Sequence, residues 1–304
     1  MLDLSGAVEA DGADAGVAAH YGDPYREQKA LLAGEGVVDL SHRGVVRISG
    51  PDRLSWLHSL TSQHLQALPP HTAVTTLILS PLGHVEHVMS GMDDGEAFWA
   101  HVEPGEAPGL VAWLDGMRFM LRVEVSDVSE EWAAIARRES SVEIVRRDDQ
   151  AEVTGASVPV GIWAFEALRI ARGEPRFGLD TDHKTIPNEV GWIGSAVHLD
   201  KGCYRGQETV ARVHTLGRPP RRLVKLHLDG SVDHLPVHGD PVVYDGRQVG
   251  LVGSAGRHFE LGPIALAVVK RNVSSDAVLL AGGVPASQEI VVDPEVGLHV
   301  RPRL

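Results

Sequence analysis

Hydrophobic and polar positions follow two different periods up to residue 221. Residues 45–50 (VVRISG) alternate with the two-residue period of a half-buried strand, and residues 72–80 (TAVTTLILS) and 84–91 (HVEHVMSG), on either side of a Pro-Leu-Gly turn, predict two paired strands. Residues 23–34 (DPYREQKALLAG) predict a helix, because proline falls in its first turn and glycine stands at its end. A second helix is expected after the proline at 51. Strands interleaved with helices predict an α+β architecture with several antiparallel sheets.

The pattern changes after residue 221. Short apolar runs separated by turn residues continue to the end of the chain, and YDGR at 244–247 is a strong signal for a two-residue hairpin. We therefore expect residues 222–304 to form a small all-β barrel or sandwich. Residues 21–221 would form the α+β region, in two subdomains. Residues 1–20 are acidic and rich in Ala and Gly, which predicts a flexible, frayed leader.

The composition narrows the classes of function. The chain has 304 residues, a net charge of −13 and 43% hydrophobic residues, as in an ordinary globular protein. It has no apolar run near the ~20 residues of a membrane span and no signal-peptide pattern. Cys203 is the single cysteine, so we expect no internal disulfide, no iron–sulphur cluster held by this chain alone, and a cytoplasmic location. The acidic balance argues against general coating of nucleic acid or membrane.

Positive charge gathers in residues 201–225, which we call the basic segment. It contains seven Lys or Arg residues and one acid, and it includes Cys203. Neighbouring cations and a predicted helix start at GQETVARV favour a thiolate, so Cys203 is a candidate functional thiol; the alternative is a small buried hydrophobe. Two prolines stiffen the chain before RRLVK, and guanidinium groups held in this way suit carboxylates and phosphates. The alternative for the whole segment is a solvated surface.

Two other stretches carry candidate chemistry. HVEH at 84–87 has metal-binding residue types, but on a strand His84 and His87 face opposite sides, so we expect no metal site. IPNEVGW at 186–192 offers Glu189 beside a proline and a tryptophan. That carboxylate can accept two hydrogen bonds from an aminopyrimidine-type ring or serve as a surface acid, and spacing alone does not decide. The sequence contains no phosphate loop, dinucleotide fingerprint or nucleophile elbow.

Several motifs together resemble a known family. KGCYRGQE at 201–208, EALRIARGEPRFGLD at 166–180 and the IPNEVGW stretch between them are similar to the folate-binding YgfZ family. GVVDLSHRGVVRISGPDRLSWL at 36–57 fits a pattern shared with the related aminomethyltransferase T-protein of the glycine cleavage system. The resemblance covers nearly the whole chain from about residue 21, and KGCYxGQE is specific to the YgfZ branch. The positions of that motif are Lys201, Gly202, Cys203, Tyr204, Gly206, Gln207 and Glu208.

The resemblance implies a fold and a role. It implies three subdomains in a ring around a tetrahydrofolate site, the third being a C-terminal β-barrel. It also implies an accessory role in making or repairing iron–sulphur proteins, including enzymes that modify tRNA. The expected ligand is tetrahydrofolate or a one-carbon derivative, and the expected partners are iron–sulphur enzymes or assembly factors. tRNA is a further candidate partner, and no membrane is expected.

Site residues transfer from the resemblance position by position. Glu189 falls at a pteridine-contacting glutamate, Arg221 at an arginine of the folate site, and Phe98 at an aromatic near the folate. The basic segment would line the mouth that receives the folate's glutamate tail. Val88 stands where the T-protein has its catalytic aspartate, so we expect folate binding without aminomethyl transfer. Two rival functions are a true folate-dependent aminomethyl- or methyltransferase and a tRNA-docking module that uses the basic segment.

Overall fold

A computed structural model describes residues 1–138 and 141–298, and its contacts divide the chain into two units. The first unit comprises Met1–Thr76 and His87–Leu168. The second comprises Leu77–Glu86 and Arg169–Leu304. Both contain helices and strands, so the predicted α+β class is confirmed.

Strands and helices are interleaved up to residue 171. The strands are β1 (Val8–Glu9), β2 (Ala18–His20), β3 (Gly36–Asp39), β4 (Gly44–Ser49), β5 (Val74–Leu79), β6 (Val85–Asp93), β7 (Ala97–Val102), β8 (Glu124–Asp127), β9 (Trp132–Arg138), β10 (Ser141–Arg146) and β11 (Val158–Val160). The helices are α1 (Pro24–Leu32), α2 (Arg53–Leu60), α3 (Glu106–Met117), α4 (Gln150–Thr154) and α5 (Ile162–Ala171). Single 3₁₀ turns lie at Gly12–Asp14 and Arg147–Asp149.

These strands form three sheets. β1 and β2 make a two-stranded antiparallel pair. A four-stranded sheet has the order β10-β9-β3-β11, in which the pairing of β11 with β3 is parallel. A five-stranded sheet has the order β5-β6-β7-β4-β8. Strand β4 lies between β7 and β8 and is mostly buried, and its residues Val45, Val46 and Ile48 have no exposed surface.

Helix α1 begins where the sequence predicts it. The side chain of Asp23 accepts hydrogen bonds from the backbone N–H groups of Tyr25 and Arg26, both at 3.1 Å. Pro24 is the first helical residue, where the missing N–H costs nothing. Gly34 has a φ of 75°, a left-handed conformation that ends helices and favours glycine.

The segment expected to be a frayed leader is instead part of the first unit. β1 and β2 pair there, with Val8 opposite His20. Val17, Ala18 and Ala19 are at most 3% exposed. The acidic composition suggested disorder, but three consecutive apolar residues give this segment enough surface to bury.

The second unit contains helix α6 and a closed barrel. A 3₁₀ turn spans Pro187–Glu189 and α6 spans Gln207–Leu216. The barrel strands are β12 (Arg221–Leu228), β13 (Pro241–Tyr244), β14 (Arg247–His258), β15 (Gly262–Lys270), β16 (Leu279–Ala281) and β17 (Val284–Ile290). They close in the order β12-β15-β14-β13-β16-β17. The barrel therefore starts at Arg221, next to the expected boundary, and the all-β expectation is confirmed in its barrel form.

Alternation along the strands fills the barrel interior. Val224, Leu226 and Leu228 of β12 point into one apolar cluster with residues of β13 to β17. The predicted hairpin joins β13 to β14, where Tyr244 pairs with Arg247. Asp245 and Gly246 have φ values of 49° and 69°. Positive φ at both central residues is the requirement of the type I′ turn that the YDGR sequence signals.

Candidate functional site

Arg221, the first residue of the barrel, lies between two carboxylates of the second unit. Its Nε and Nη2 donate to Oε1 and Oε2 of Glu189 at 2.9 and 2.8 Å. Its Nη1 and Nη2 donate to Oδ2 and Oδ1 of Asp182 at 2.6 and 3.1 Å. Glu189 is 1% exposed, whereas 37% of the Asp182 side chain is exposed. We call Asp182, Thr185, Glu189 and Arg221 the arginine cluster.

Two short turns hold the carboxylates in place. Asp182 Oδ1 accepts a hydrogen bond from Thr185 Oγ1 at 2.8 Å, and Thr185 Oγ1 accepts one from the Asp182 backbone N–H at 2.8 Å. Pro187 starts the 3₁₀ turn that carries Glu189, and Glu189 Oε2 accepts a bond from the backbone N–H of Ile186 at 3.2 Å. Each acid is fixed by its own turn, so the cluster is preorganised around the Arg221 guanidinium.

The electrostatics of the cluster favour the charged forms of Asp182 and Arg221. Burial would raise the pKa of Asp182, but hydrogen bonds from Arg221 and Thr185 and the Arg221 charge outweigh burial and hold that pKa well below its usual range. The hydrogen bonds to Glu189 raise the pKa of Arg221 above its ordinary value, against the opposing effect of burial. The Arg221 guanidinium therefore lies between the side chains of two acids, Asp182 and Glu189.

A cleft of about 470 Å³ adjoins the exposed side of the cluster. Asp182, Thr185 and Arg221 line it together with apolar residues that include Leu251 and Val268. The volume lies within the range of small-molecule sites, which combine apolar walls with a few convergent polar groups. Asp182 Oδ2 accepts a bond from Arg221 Nη1, and a carboxylate oxygen has a second lone-pair direction for a ligand N–H.

The structure brings two of the expected folate residues together and changes the role of one. Glu189 and Arg221 are bonded to each other, but both Glu189 oxygens are occupied and the residue is buried. Glu189 thus orients Arg221, while Asp182 presents the accessible carboxylate. Sequence reasoning missed Asp182 and Thr185. The D-x-x-T spacing signals a local turn, but nothing in the sequence ties that turn to an arginine 39 residues later.

The basic segment is not a free cationic surface. Five of its seven Lys and Arg side chains lie within 4 Å of a carboxylate, and most of these carboxylates belong to residues distant in the sequence. The pairs are Arg205–Glu86, Arg212–Glu208, Arg218–Glu295, Arg221–Asp182 and Lys225–Glu289. Arg222 is fully buried, and its Nη2 donates to Val273 O and Gln288 Oε1. The surplus of charge in the sequence is therefore largely neutralised in the fold, which corrects the expectation of an open anion-binding mouth.

Cys203 is exposed, so it is not the small buried hydrophobe of the alternative interpretation. It lies four residues before the start of α6. Lys201 and Tyr204, on either side of it, are both buried. Lys201 is 6% exposed with its Nζ 4.9 Å from the centre of the Tyr204 ring. Burial lowers the pKa of Lys201 to about 8 and raises that of Tyr204 to about 12. The thiol is thus presented to solvent by a loop that two buried neighbours anchor.

The remaining motif residues have structural or surface positions. Gly206 has a φ of 80°, and a Cβ there would lie 2.4 Å from the carbonyl oxygen of Ser80. Gln207 begins α6, and Glu208 pairs with Arg212 at 2.6 Å on the exposed side of that helix. Gly202 is exposed, with no atom within 4 Å of an added Cβ. The motif therefore shapes the loop that carries Cys203.

Two expected positions lie in the first unit. Phe98 of β7 has no exposed surface and pairs with Ile48 in the five-stranded sheet, so its ring has no free face for a ligand. This corrects the expectation, drawn from the resemblance, of an aromatic that stacks near the folate, because Phe98 falls on the buried side of its strand. Val88 lies on β6 and is partly buried.

Comparisons with known proteins agree with this architecture. Residues 7–137 match the GCVT N-terminal domain, and residues 221–291 match the glycine cleavage T-protein C-terminal barrel domain. Together the two matches cover about two thirds of the chain. Both matches are to domains of the glycine cleavage T-protein, which supports a place in the T-protein-like superfamily.

A solved structure shares the fold of this chain. It is the glycine cleavage system aminomethyltransferase T from Bartonella henselae, with a TM-score of 0.79 over 95% of this chain and 94% of that one, at 17% identity. The architecture is thus shared across most of both chains.

Curated relatives fall into more than one functional group. The chain is 25% identical to an aminomethyltransferase of Rippkaea orientalis, over 81% of each protein. It is 24% identical to an iron-sulfur cluster assembly factor IBA57 homolog, mitochondrial, of Mycosarcoma maydis, over 65% of this chain and 59% of that protein. It is 23% identical to a chloroplastic protein of Arabidopsis thaliana, over 79% of this chain and 66% of the plant protein, just under two thirds of it. Among the described residues, no helix is long and apolar enough to cross a membrane.

Proposed function

We propose that this protein binds tetrahydrofolate, or a one-carbon derivative, at the arginine cluster and supports the maturation or repair of iron–sulphur proteins. The observation that carries the folate assignment is the preorganised cluster beside a ligand-sized cleft. An aminopyrimidinone ring has two adjacent N–H donors and a carbonyl acceptor on one edge. Asp182 supplies an acceptor and Arg221 supplies a donor for such an edge, and the apolar lining suits the rest of the ring.

The iron–sulphur role rests on the family and on the exposed thiol. The superfamily includes a relative named as an iron-sulfur cluster assembly factor homolog. Cys203 is accessible for contact with a client protein, a cluster or an oxidised sulphur species. The single cysteine favours a reducing, cytoplasmic compartment. Loss of activity of an iron–sulphur enzyme in cells that carry Cys203→Ser, at normal protein level, is the expected result.

An aminomethyltransferase is the second candidate, because a relative in the same superfamily carries that name. The transfer needs a carboxylate close to the reacting folate nitrogen. Val88, which the resemblance aligns with that carboxylate, cannot hold a charge. Glu86, two residues earlier, is ion-paired with Arg205 at 2.8 Å. We therefore propose an accessory protein, which binds tetrahydrofolate but shows no turnover with the glycine-cleavage carrier protein.

A tRNA-docking function has less support, because acids pair with most cations of the basic segment. Proteins that contact several phosphates lose affinity steeply as salt rises. We expect any tRNA binding to this chain to be weak at physiological salt. We propose instead that this protein influences tRNA indirectly, through the tRNA-modifying enzymes that contain iron–sulphur clusters.

Calorimetric titration with tetrahydrofolate tests the folate assignment. Asp182→Asn should weaken binding by about 1–3 kcal/mol, the range for a charge-assisted bond. Asp233→Asn, which removes an equal charge from an exposed position, is the matched control and should bind like the wild type. A wild type that does not bind tetrahydrofolate, or an Asp182→Asn variant that binds equally well, would contradict the assignment.

A further inference from the structure

Arg43 of the first unit is a buried cation that the fold leaves poorly paired. It is 7% exposed, and its Nε has no hydrogen-bond partner. Among the described residues, the carboxylate recorded within 4 Å of it is that of Glu103, with Oε1 at 3.9 Å from Nη2, which is too long for a hydrogen bond. Burying a guanidinium with so little compensation costs stability, so the fold alone does not account for this residue.

The surroundings of Arg43 combine an aromatic ring with a neutral histidine. The guanidinium carbon lies 5.7 Å from the centre of the Phe165 ring, and Phe165 is 5% exposed. Burial and the Arg43 charge lower the pKa of His101 to about 3, so His101 is neutral at physiological pH and does not repel the arginine. The Nε–H of this cation is therefore available to donate to a ligand.

The position of Arg43 is fixed by the backbone. Its N–H donates to the carbonyl of Leu40 at 2.9 Å, in the turn between β3 and β4. The next residue, Gly44, packs against α3, where an added Cβ would lie 2.7 Å from the Cβ of Ala107. Because the chain on both sides of Arg43 is held by these contacts, the guanidinium is presented from a rigid base.

From this geometry we infer that Arg43 binds an oxyanion group of a ligand, a carboxylate or a phosphate, next to the Phe165 ring. A planar guanidinium matches both groups in a bidentate manner, and the bonds are strong where water is excluded. Such an oxyanion would replace the distant Glu103 as the closest partner. All residues named for this site belong to the first unit. The inference does not rest on the proposed function.

Two probes distinguish the sources of the oxyanion. The wild type is titrated with inorganic phosphate and with p-aminobenzoylglutamate, which joins an aromatic ring to two carboxylates. We expect binding of at least one probe, and a loss of about tenfold or more in Arg43→Met, the scale of a bidentate charge-assisted contact. Arg26→Met removes an exposed arginine of the same unit and should bind like the wild type.

Stability separates a binding role from a structural one. If Arg43 is kept for a ligand, Arg43→Met should unfold at the same or a higher temperature than the wild type, since a poorly paired buried charge is removed. Should that variant not fold, Arg43→Lys decides, because it keeps the charge and loses the fork; we expect it to fold and to bind several-fold more weakly. Wild-type affinity in either variant, or a wild type that binds neither probe, would overturn the inference.

The same titrations separate this inference from the proposed function. Tetrahydrofolate binding that is equal in wild type and Arg43→Met, with no phosphate binding, leaves the proposed function in place and refutes the Arg43 site. Phosphate binding that depends on Arg43, in a chain that does not bind tetrahydrofolate, supports the Arg43 site and refutes the proposed function.

Discussion

Replacement of Arg221 by methionine is the perturbation that most sharply probes the arginine cluster. The buried Glu189 carboxylate, which is 1% exposed, then loses both hydrogen bonds from Arg221 and keeps the one from the Ile186 N–H. Breaking a buried ion pair on one side costs about 3–5 kcal/mol. Asp182 loses the same partner, but 37% of its side chain is exposed. The loss of its ion pair should therefore lower the free energy of unfolding by about 1 kcal/mol or less. Arg221→Met should therefore lower the free energy of unfolding by about 3–5 kcal/mol, mostly through Glu189.

Double-mutant cycles in urea denaturation measure the contributions of Glu189 and Asp182 separately. Glu189→Gln keeps Arg221 paired with Asp182 and should cost about 1–3 kcal/mol. Adding Arg221→Met to that variant should cost much less than in the wild type, which gives a coupling energy of about 2 kcal/mol or more between positions 189 and 221. The matched cycle with Asp182→Asn should give about 1 kcal/mol or less. Equal couplings for the two acids, or a cost of Arg221→Met below about 1 kcal/mol, would refute this reasoning.

Three further predictions concern the loop that carries the thiol. Gly206→Ala should destabilise the protein by about 1–3 kcal/mol in urea denaturation, because its φ of 80° and the Ser80 carbonyl 2.4 Å from an added Cβ both oppose a side chain, whereas Gly202→Ala should change little. Iodoacetamide should modify Cys203 in the native protein, as read by mass spectrometry, and modification only after denaturation would contradict its exposure. The buried ammonium of Lys201 has its pKa lowered from 10.5 to about 8, so the unfolded state binds more protons between these values. The free energy of unfolding of the wild type should thus rise from pH 8 to pH 10.5 relative to Lys201→Met, and a flat difference would contradict the burial.

Local signals in the sequence predict local structure well. The Asp-Pro start of α1 and the Asp-Gly turn between β13 and β14 both appear in the fold, because capping and positive φ depend on a few adjacent residues. The barrel was predictable for the same reason, since alternation and turn residues repeat along it. Composition was a poorer guide for residues 1–20, where three apolar residues outweigh the acidic surroundings.

The candidate site was less predictable, because long-range pairing decides its charge. Arg221 and Glu189 were expected at the site from the resemblance, but their mutual hydrogen bonds and the contribution of Asp182 depend on how distant turns meet. A linear count of charge likewise made the basic segment look open. In the fold, acids as remote as Glu86 and Glu295 neutralise it. Phe98 shows the same limit, since a strand position does not state which face is buried.

The most direct test of the account is a crystal structure of this protein with bound tetrahydrofolate. We predict that the aminopyrimidinone edge of the ligand lies within hydrogen-bond distance, about 2.7–3.2 Å, of Asp182 and Arg221. Glu189 should keep both of its bonds to Arg221 in that complex. A ligand bound elsewhere with the arginine cluster unchanged, or a cluster that opens so that Glu189 itself contacts the ring, would contradict the account.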